Sequence, residues 1–183
     1  MAGTSDLVEG IKSALTPQDL VGERILVSAG PTREAIDPVR YISNRSSGKM
    51  GYSVATAALR RGARVVLVSG PTAITPPPGA VFVPVQSAEE MREAVRQHAA
   101  EATVVIKAAA VADYRPRHLS VQKIKSRQER LLLELTPNPD ILAEIAAQHP
   151  GALLVGFAAE TEDRKSTRLN SSHIQKSRMP SSA

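Results

Sequence analysis

Apolar positions along the chain fall into two patterns that alternate. Short runs rich in valine, isoleucine and leucine, without strict apolar–polar alternation, occur at "RILVSAG" (residues 24–30), "ARVVLVSG" (63–70), "VFVPV" (81–85), "ATVVIKAAAV" (102–111), "LLLEL" (131–135) and "ALLVGFAAE" (152–160). Between them lie longer segments with helical spacing: "GKMGYSVATAALRRG" (48–62), "SAEEMREAVRQHAAE" (87–101) and "NPDILAEIAAQH" (138–149). Strands apolar on both faces are buried on both faces, and strands that alternate with helices are joined by parallel crossovers. The pattern predicts an α/β fold, a Rossmann-like three-layer sandwich with a mainly parallel sheet over residues 22–163.

Local chemistry marks the boundaries. Ser87 followed by Glu90 predicts a capping box at the start of the second helix. Asn138 and Pro139 are expected to serve as N-cap and first-turn proline of the third. Gly62 is placed to close the first helix, and the proline-rich "GPTAITPPPGA" (70–80) excludes helix. Residues 1–21, with the weakly amphipathic "DLVEGIKSAL", read as a linker or leading helix. Residues 164–183 carry no apolar periodicity and read as a disordered basic tail, either natural or a foreign extension.

Charge alters the picture less than its total suggests. The net charge is +5, but Arg164, Lys165, Arg168, Lys176 and Arg178 lie in a tail without acids, and removing them leaves 18 residues of each sign. With a neutral body, five aromatic side chains and no tryptophan, a nucleic-acid partner is not expected. Cysteine is absent, which excludes disulfides, thiolate metal sites and cysteine nucleophiles, and the four histidines have no ligand spacing. No secretory segment and no apolar run near membrane length is present, so a cytoplasmic protein without membrane contact is expected.

The candidate chemistry gathers where strands end. Ligands of open parallel sheets bind outside the carboxyl ends of strands, beside helix N-termini with free amides. "DPVRYISNRSSGKMG" (37–51) lies at such an end, and Ser46, Gly48 and Gly51 around the first helical turn suit a phosphate; the same residues also suit a plain loop and cap. "SNRSSGKM" fails as a Walker A loop, having serine for the first glycine and methionine after the lysine. The first strand also lacks a dinucleotide fingerprint, which disfavours a dehydrogenase. Arg40 can clamp a carboxylate or phosphate, and the Asn44 amide can donate to a developing oxyanion; each also fits an ordinary surface or turn role. In "KAAAVADYR" (107–115), Ala108, Ala109 and Ala110 leave room for a ligand and Asp113 sets a carboxylate beside it, or the segment is a packed crossover with a turn aspartate. Lys123 and Lys125 share one side of an extended segment suited to polyphosphate or simply to water. Phe157 suits a base or the core.

Taken in order, "SAGPTREAIDPVRYISNRSSGKMG", "KAAAVADYR", "KIK", "NPDI" and "GFAAET" resemble the phosphopantothenoylcysteine synthetase family, the synthetase half of bacterial bifunctional coenzyme A biosynthesis proteins, over residues 22–163. The resemblance implies a ligase that activates 4'-phosphopantothenate with CTP as an acyl cytidylate and then joins it to cysteine. It implies nucleotide contacts at Gly30, Ser46, Gly48, Gly51, Ala108, Pro139, Asp140, Ile141, Leu142 and Phe157. It gives Asn44 a role on the acyl nucleotide, Arg40 support of the same loop, and Lys123 formation of the intermediate. Ala109, Ala110 and Asp113 match substrate or nucleotide positions, undivided between the two. Magnesium is expected with the nucleotide and without dedicated protein ligands. A homodimer with its substrate site completed at the subunit boundary is implied, as is a phosphopantothenoylcysteine decarboxylase domain fused or adjacent through the leading segment. The alternative is a non-catalytic nucleotide- or phosphate-binding module on the same fold.

After "GFAAET" the sequence departs from the family pattern, and "RKSTRLNSSH" does not supply the expected helix, lysine-bearing segment and strand. On that reading the domain is C-terminally truncated, and weak or no activity is expected of this chain.

Overall fold

The computed structural model describes residues 3–125, 130–158 and 174–178. Its elements are α1 (Thr4–Leu15), β1 (Arg24–Ala29), β2 (Arg33–Ala35), β3 (Tyr41–Ser43), α2 (Lys49–Arg60), β4 (Arg64–Ser69), β5 (Val81–Pro84), α3 (Ala88–Ala99), β6 (Val104–Lys107), β7 (Tyr114–Pro116), β8 (Leu135–Pro137), α4 (Ile141–Gln148), β9 (Leu153–Ala158) and β10 (Ile174–Arg178). Six strands form one sheet in the order β10-β9-β6-β1-β4-β5, with every pairing parallel. Two short antiparallel hairpins, β2–β3 and β7–β8, stand apart from it.

The sheet is Rossmann-like because β1 sends its side chains alternately to two apolar layers. Ile25, Val27 and Ala29 pack with Tyr52, Ala55 and Ala58 of α2. Leu26 points the other way, into a cluster with Met91 and Val95 of α3 and Ile141 and Ile145 of α4. On that second face, Arg92 of α3 grips Glu144 of α4 through two hydrogen bonds of 2.6 Å and also meets Glu89. The hydrogen bond to Glu144, then that to Glu89, raises the pKa of Arg92. Since α2 covers one face and α3 the other, the strand order turns about β1, leaving a crevice at the carboxyl ends of β1 and β6.

The caps explain where helices begin and stop. The Ser87 side chain accepts from the Glu90 amide at 3.2 Å, while Glu90 accepts from the Gln86 amide at 2.8 Å, as the capping box predicts. Past α2, the Gly62 amide donates to Leu59 and the Ala63 amide to Ala58, the paired bonds of a Schellman ending. Asn138 is not the cap of α4. Asp140 is, accepting from the Leu142 and Ala143 amides, because the Asn138 side chain already donates to the Ala112 carbonyl and accepts from Arg115.

Two other expectations need correction. "LLLEL" is not a strand of the main sheet: residues 131–134 belong to no element, Leu132 is 92% exposed, and only Leu135 enters β8. With both layers already filled, that run has no apolar surface to join. Within the expected disordered tail, Ile174–Arg178 forms β10 along β9, where the outer edge of β9 offers unpaired backbone groups. The rest of that tail lies outside the described residues, as does its proposed foreign origin. The leading segment contains α1, held to α2 by Glu9–Arg60 at 2.6 Å and by Gln18 on the Arg60 carbonyl.

The closest approach in the fold predicts its most sensitive small residue. A Cβ on Gly70 would collide with the Pro31 carbonyl oxygen, a backbone atom that cannot rotate away. Gly70→Ala should therefore lower stability in urea unfolding by about 3 kcal/mol, the upper part of the overpacking range. Gly10→Ala, where a Cβ meets nothing within 4 Å, should be neutral or stabilising by up to about 1 kcal/mol.

Candidate functional site

A cleft of about 850 Å³ opens at the turning point of the sheet. Its walls are residues 44–50, from the end of β3 into α2, residues 107–111 and Asp113 after β6, and Phe157 of β9. A smaller pocket of about 170 Å³ adjoins it, sharing Lys107, Val111 and Asp113 and adding Ala112, Asn138, Pro139 and Asp140.

The α2 N-terminus reaches this cleft because glycines let three backbone segments cross. Gly48, the N-cap of α2, has φ 77°, a left-handed conformation that L side chains rarely adopt. A Cβ there would lie 2.7 Å from Thr72 Cγ2, and one on Gly30 would lie 2.8 Å from the Gly70 carbonyl oxygen. One on Gly51 would lie 2.6 Å from Ala29 Cβ. The cap residue Gly48 has no side chain to bond the first-turn amides, and of these the Lys49 amide donates to Ser47 Oγ at 3.4 Å. Ser46 Oγ accepts from the Gly48 amide at 3.2 Å. Behind the crossing, Thr72 donates to the Tyr52 hydroxyl, which donates to Ser69, each at 3.1 Å.

Opposite α2, the segment after β6 is sewn to β1. Ala108 donates to the Ser28 carbonyl at 3.1 Å and Ala110 to the Gly30 carbonyl at 2.9 Å, while Ala112 donates to the buried Thr32 hydroxyl. Asn44 bridges the two walls, its amide donating to the Val111 carbonyl at 3.0 Å. Asn138 does the same from the far side, onto Ala112 at 2.8 Å.

The predicted residues separate into groups. Asn44, Ser46, Gly48, Ala108, Ala109, Ala110, Asp113 and Phe157 line the cleft together, and Pro139 and Asp140 line its smaller neighbour. Gly30 and Gly51 lie beneath the lining, as crossing points. Ile141 is buried in the apolar cluster with Leu142 packed on it, so neither reaches the cleft wall. Their apolar side chains fill the layer between α4 and the sheet. Arg40 and Lys123 also stand off the wall. Arg40 and Ile124, the neighbour of Lys123, are tied to Asp37, a buried carboxylate that accepts from the Val39 and Arg40 amides at 2.8 Å and from the Ile124 amide at 3.1 Å. Arg40 Nη1 lies 3.7 Å from Asp37 Oδ2.

Sequence reasoning passed over the cations of the cleft. Arg45, Lys49 and Lys107 line it against a single carboxylate, Asp113, and Lys107 approaches Asp140 at 3.9 Å. A lysine closing an otherwise apolar strand, "VVIK", was the available signal for Lys107. Among the described residues no cluster of three His, Asp or Glu could hold a metal ion, and no helix is long and apolar enough to cross a membrane.

Residues 20–177 match the family described as DNA/pantothenate metabolism flavoprotein C-terminal domain. The chain belongs to this family. It is 49% identical over 161 residues to the coenzyme A biosynthesis bifunctional protein CoaBC of Vibrio cholerae, and 50% identical over 149 residues to that of Bacillus subtilis. These alignments take in 86% and 81% of the chain but only 40% and 37% of those relatives' lengths. Among solved structures, the C-terminal domain of a CoaBC protein matches with TM-score 0.71 and 51% identity, covering 80% of this chain and 69% of that one. The DNA/pantothenate metabolism flavoprotein from Streptococcus pneumoniae matches with TM-score 0.66 and 27% identity, covering 74% of this chain and 69% of that one. The Rossmann-like sheet described above is thus shared with members of the family.

Asp37 gives the site a defined response to acid. Burial pushes its carboxyl up, but the amide hydrogen bonds from Val39, Ile124 and Arg40 and the Arg40 charge outweigh it, leaving the pKa below the ordinary 3.8. A depressed carboxylate stabilises the fold above its unfolded pKa and loses that contribution as pH falls through its folded one. The difference in urea midpoint between the wild type and Asp37→Asn should be constant from pH 7 to about pH 5 and shrink below about pH 4.

Proposed function

We propose that the chain is the synthetase part of a coenzyme A biosynthesis enzyme, a ligase that joins 4'-phosphopantothenate to cysteine at the expense of CTP. The observation that carries this reading is the cleft itself: the glycine-capped N-terminus of α2 on one wall, three cations against one carboxylate, and small alanine side chains opposite. The names and identities of its relatives support the same reading.

In the first step a carboxylate oxygen of 4'-phosphopantothenate attacks the α-phosphorus of CTP, and the bond to pyrophosphate breaks. In the second, the cysteine amine attacks the acyl carbon, loses a proton, and CMP leaves with the electron pair of the broken C–O bond. The α2 amides with Ser46 and Gly48 bind the polyphosphate; Lys49, Arg45 and Lys107 offset its charge. Ala108, Pro139, Asp140 and Phe157 frame the nucleotide, with Gly30, Gly51, Ile141 and Leu142 supporting that wall from below. Ala109, Ala110 and Asp113 face the acyl group or the nucleotide. Asn44 has one amide hydrogen engaged with Val111, and its second donates to the acyl oxygen as charge builds. Lys123 neutralises the departing pyrophosphate, with Arg40 supporting its loop. Magnesium fits this donor set only as a companion of the triphosphate, since phosphate oxygens must supply most of its ligands; it would spread the phosphate charge.

A second copy of this chain is the partner proposed. The two hairpins pack on each other through β2 and β7 and expose Tyr41, Tyr114 and Leu135, and the segment after β7 exposes Leu119 and Val121. Exposed apolar side chains on and beside paired hairpins suit an interface. It would bring Lys123 of one copy near the cleft of the other. We expect the chain to work in the cytoplasm and, as its bifunctional relatives suggest, fused or next to a decarboxylase domain. Light scattering should give twice the chain mass of 19.5 kDa, and Leu135→Asp should shift the population toward monomer.

Single-turnover assays with the chain in excess over labelled CTP, so that the weak activity expected of a truncated domain is registered, test the chemistry. Pyrophosphate should appear only with 4'-phosphopantothenate, and CMP only once cysteine is added. In Asn44→Asp the acyl cytidylate should form and then persist, with CMP release slowed about 100-fold. CMP release independent of both acceptors would refute the ligase and favour a module that only binds nucleotide.

A further inference from the structure

Asp37 joins three stretches of chain that the sheet does not hold together. Its Oδ1 accepts from the Val39 and Arg40 amides, both at 2.8 Å, folding the "DPVR" turn that leads into β3 and Asn44. Its Oδ2 is left for the Ile124 amide at 3.1 Å, eighty-seven positions along the chain. The backbone reinforces the arrangement: Ile36 donates to the Arg40 carbonyl at 2.8 Å, and Ser120 donates to the Ile36 carbonyl at 3.1 Å. Residues 120–125 form no helix or strand, and Lys123 itself is exposed, its side chain making no hydrogen bond or ion pair among the described residues.

A short segment without its own ladder is positioned by whatever its few amides bond to. Here two bonds anchor it, and both run to the Ile36–Asp37 pair. The carboxylate is nearly inaccessible, its side chain 0% exposed, so water cannot replace the Ile124 donor without opening the turn. The two oxygens divide the work. One makes the local turn, a task that asparagine or serine also performs. The other makes the distant tether, which needs a second acceptor that neither residue has.

We propose that Asp37 is a positioning residue: its second carboxylate oxygen fixes Lys123 relative to Arg40 and Asn44 by holding the neighbouring Ile124 amide. The functional half of this inference rests on the ligase reading given above; the tether itself does not. Asp37 touches no substrate in this scheme and acts through Lys123.

Two arms of one experiment separate these parts. In hydrogen exchange of the whole chain, Asp37→Asn and Asp37→Ser should speed exchange over residues 120–125 by about tenfold or more while β1, β4 and β6 remain at wild-type protection. Unchanged exchange at Ile124, or loss of protection throughout the sheet, overturns the tether. In single-turnover pyrophosphate release, Asp37→Asn should slow the reaction about tenfold or more, with the CTP concentration for half-maximal rate changed by less than about threefold. Adding Asp37→Asn to Lys123→Gln should slow it no further, because both variants remove the same contribution. Additive losses would overturn action through Lys123. CMP release independent of both acceptors refutes the ligase reading and with it the functional half, while the exchange arm still decides the tether.

Discussion

Three backbone segments meet at van der Waals contact where β1 ends, and the rest of the site depends on that contact. The turn after β4 lies against Pro31 so closely that Gly70 admits no side chain, Gly30 is held between Gly70 and Thr72, and Gly48 lies against Thr72 and Gly30. Gly51 brings the first turn of α2 onto Ala29 and Ser28 of the central strand. Because Val27, Ala29 and Leu67 are fully buried between layers, the strand cannot retreat from a larger neighbour. The crossing therefore sets where the N-terminus of α2 points. Gly48, Lys49 and Met50 line the cleft as a consequence of packing, before any ligand contact is considered.

That origin changes how the glycines of the loop are understood. The usual phosphate-loop argument gives each glycine a direct approach to the anion. In this chain only Gly48 lines the cleft, while Gly30 and Gly51 are beneath it. In the proposed function the attraction for an anion would come from elsewhere: a glycine-capped helix N-terminus together with Arg45, Lys49 and Lys107. A helix end offers roughly half a unit of positive charge, so the three side chains supply most of the field and the amides supply direction.

The sheet was legible because its information is local. Every main-sheet strand from β1 to β9 sits in an apolar run, and Ser87–Glu90 and Gly62 mark helix ends through bonds to residues at most four positions away in "QSAEE" and "ALRRG". Misreadings occurred where a residue's partner is distant. Asn138 has good cap chemistry, but the Ala112 carbonyl claims its amide across twenty-six positions, so the cap passes to Asp140. "LLLEL" has the composition of a core strand yet finds both layers occupied. β10 is drawn by the free edge of β9, which nothing in "HIQKSR" announces. Within the site, motif residues were recognisable as a set, whereas Lys107 and Asp37 matter through neighbours that only the fold brings near.

The two ends of the proposed chemistry are consequently built to different standards of rigidity. Polyphosphate would meet groups fixed by a six-stranded sheet and a glycine crossing, where displacement disturbs a filled apolar layer. Arg40 and Lys123 sit instead on a turn and an irregular segment outside the sheet, joined by hydrogen bonds to one carboxylate and one carbonyl. Hydrogen bonds of this kind can be exchanged locally without unfolding the layers beneath. A ligase that must admit a second substrate after the first product leaves benefits from that division. In the proposed ligase the anion site would keep its geometry while the lysine-bearing segment adjusts, and the buried Asp37 side chain would set how far that adjustment goes before the turn itself opens.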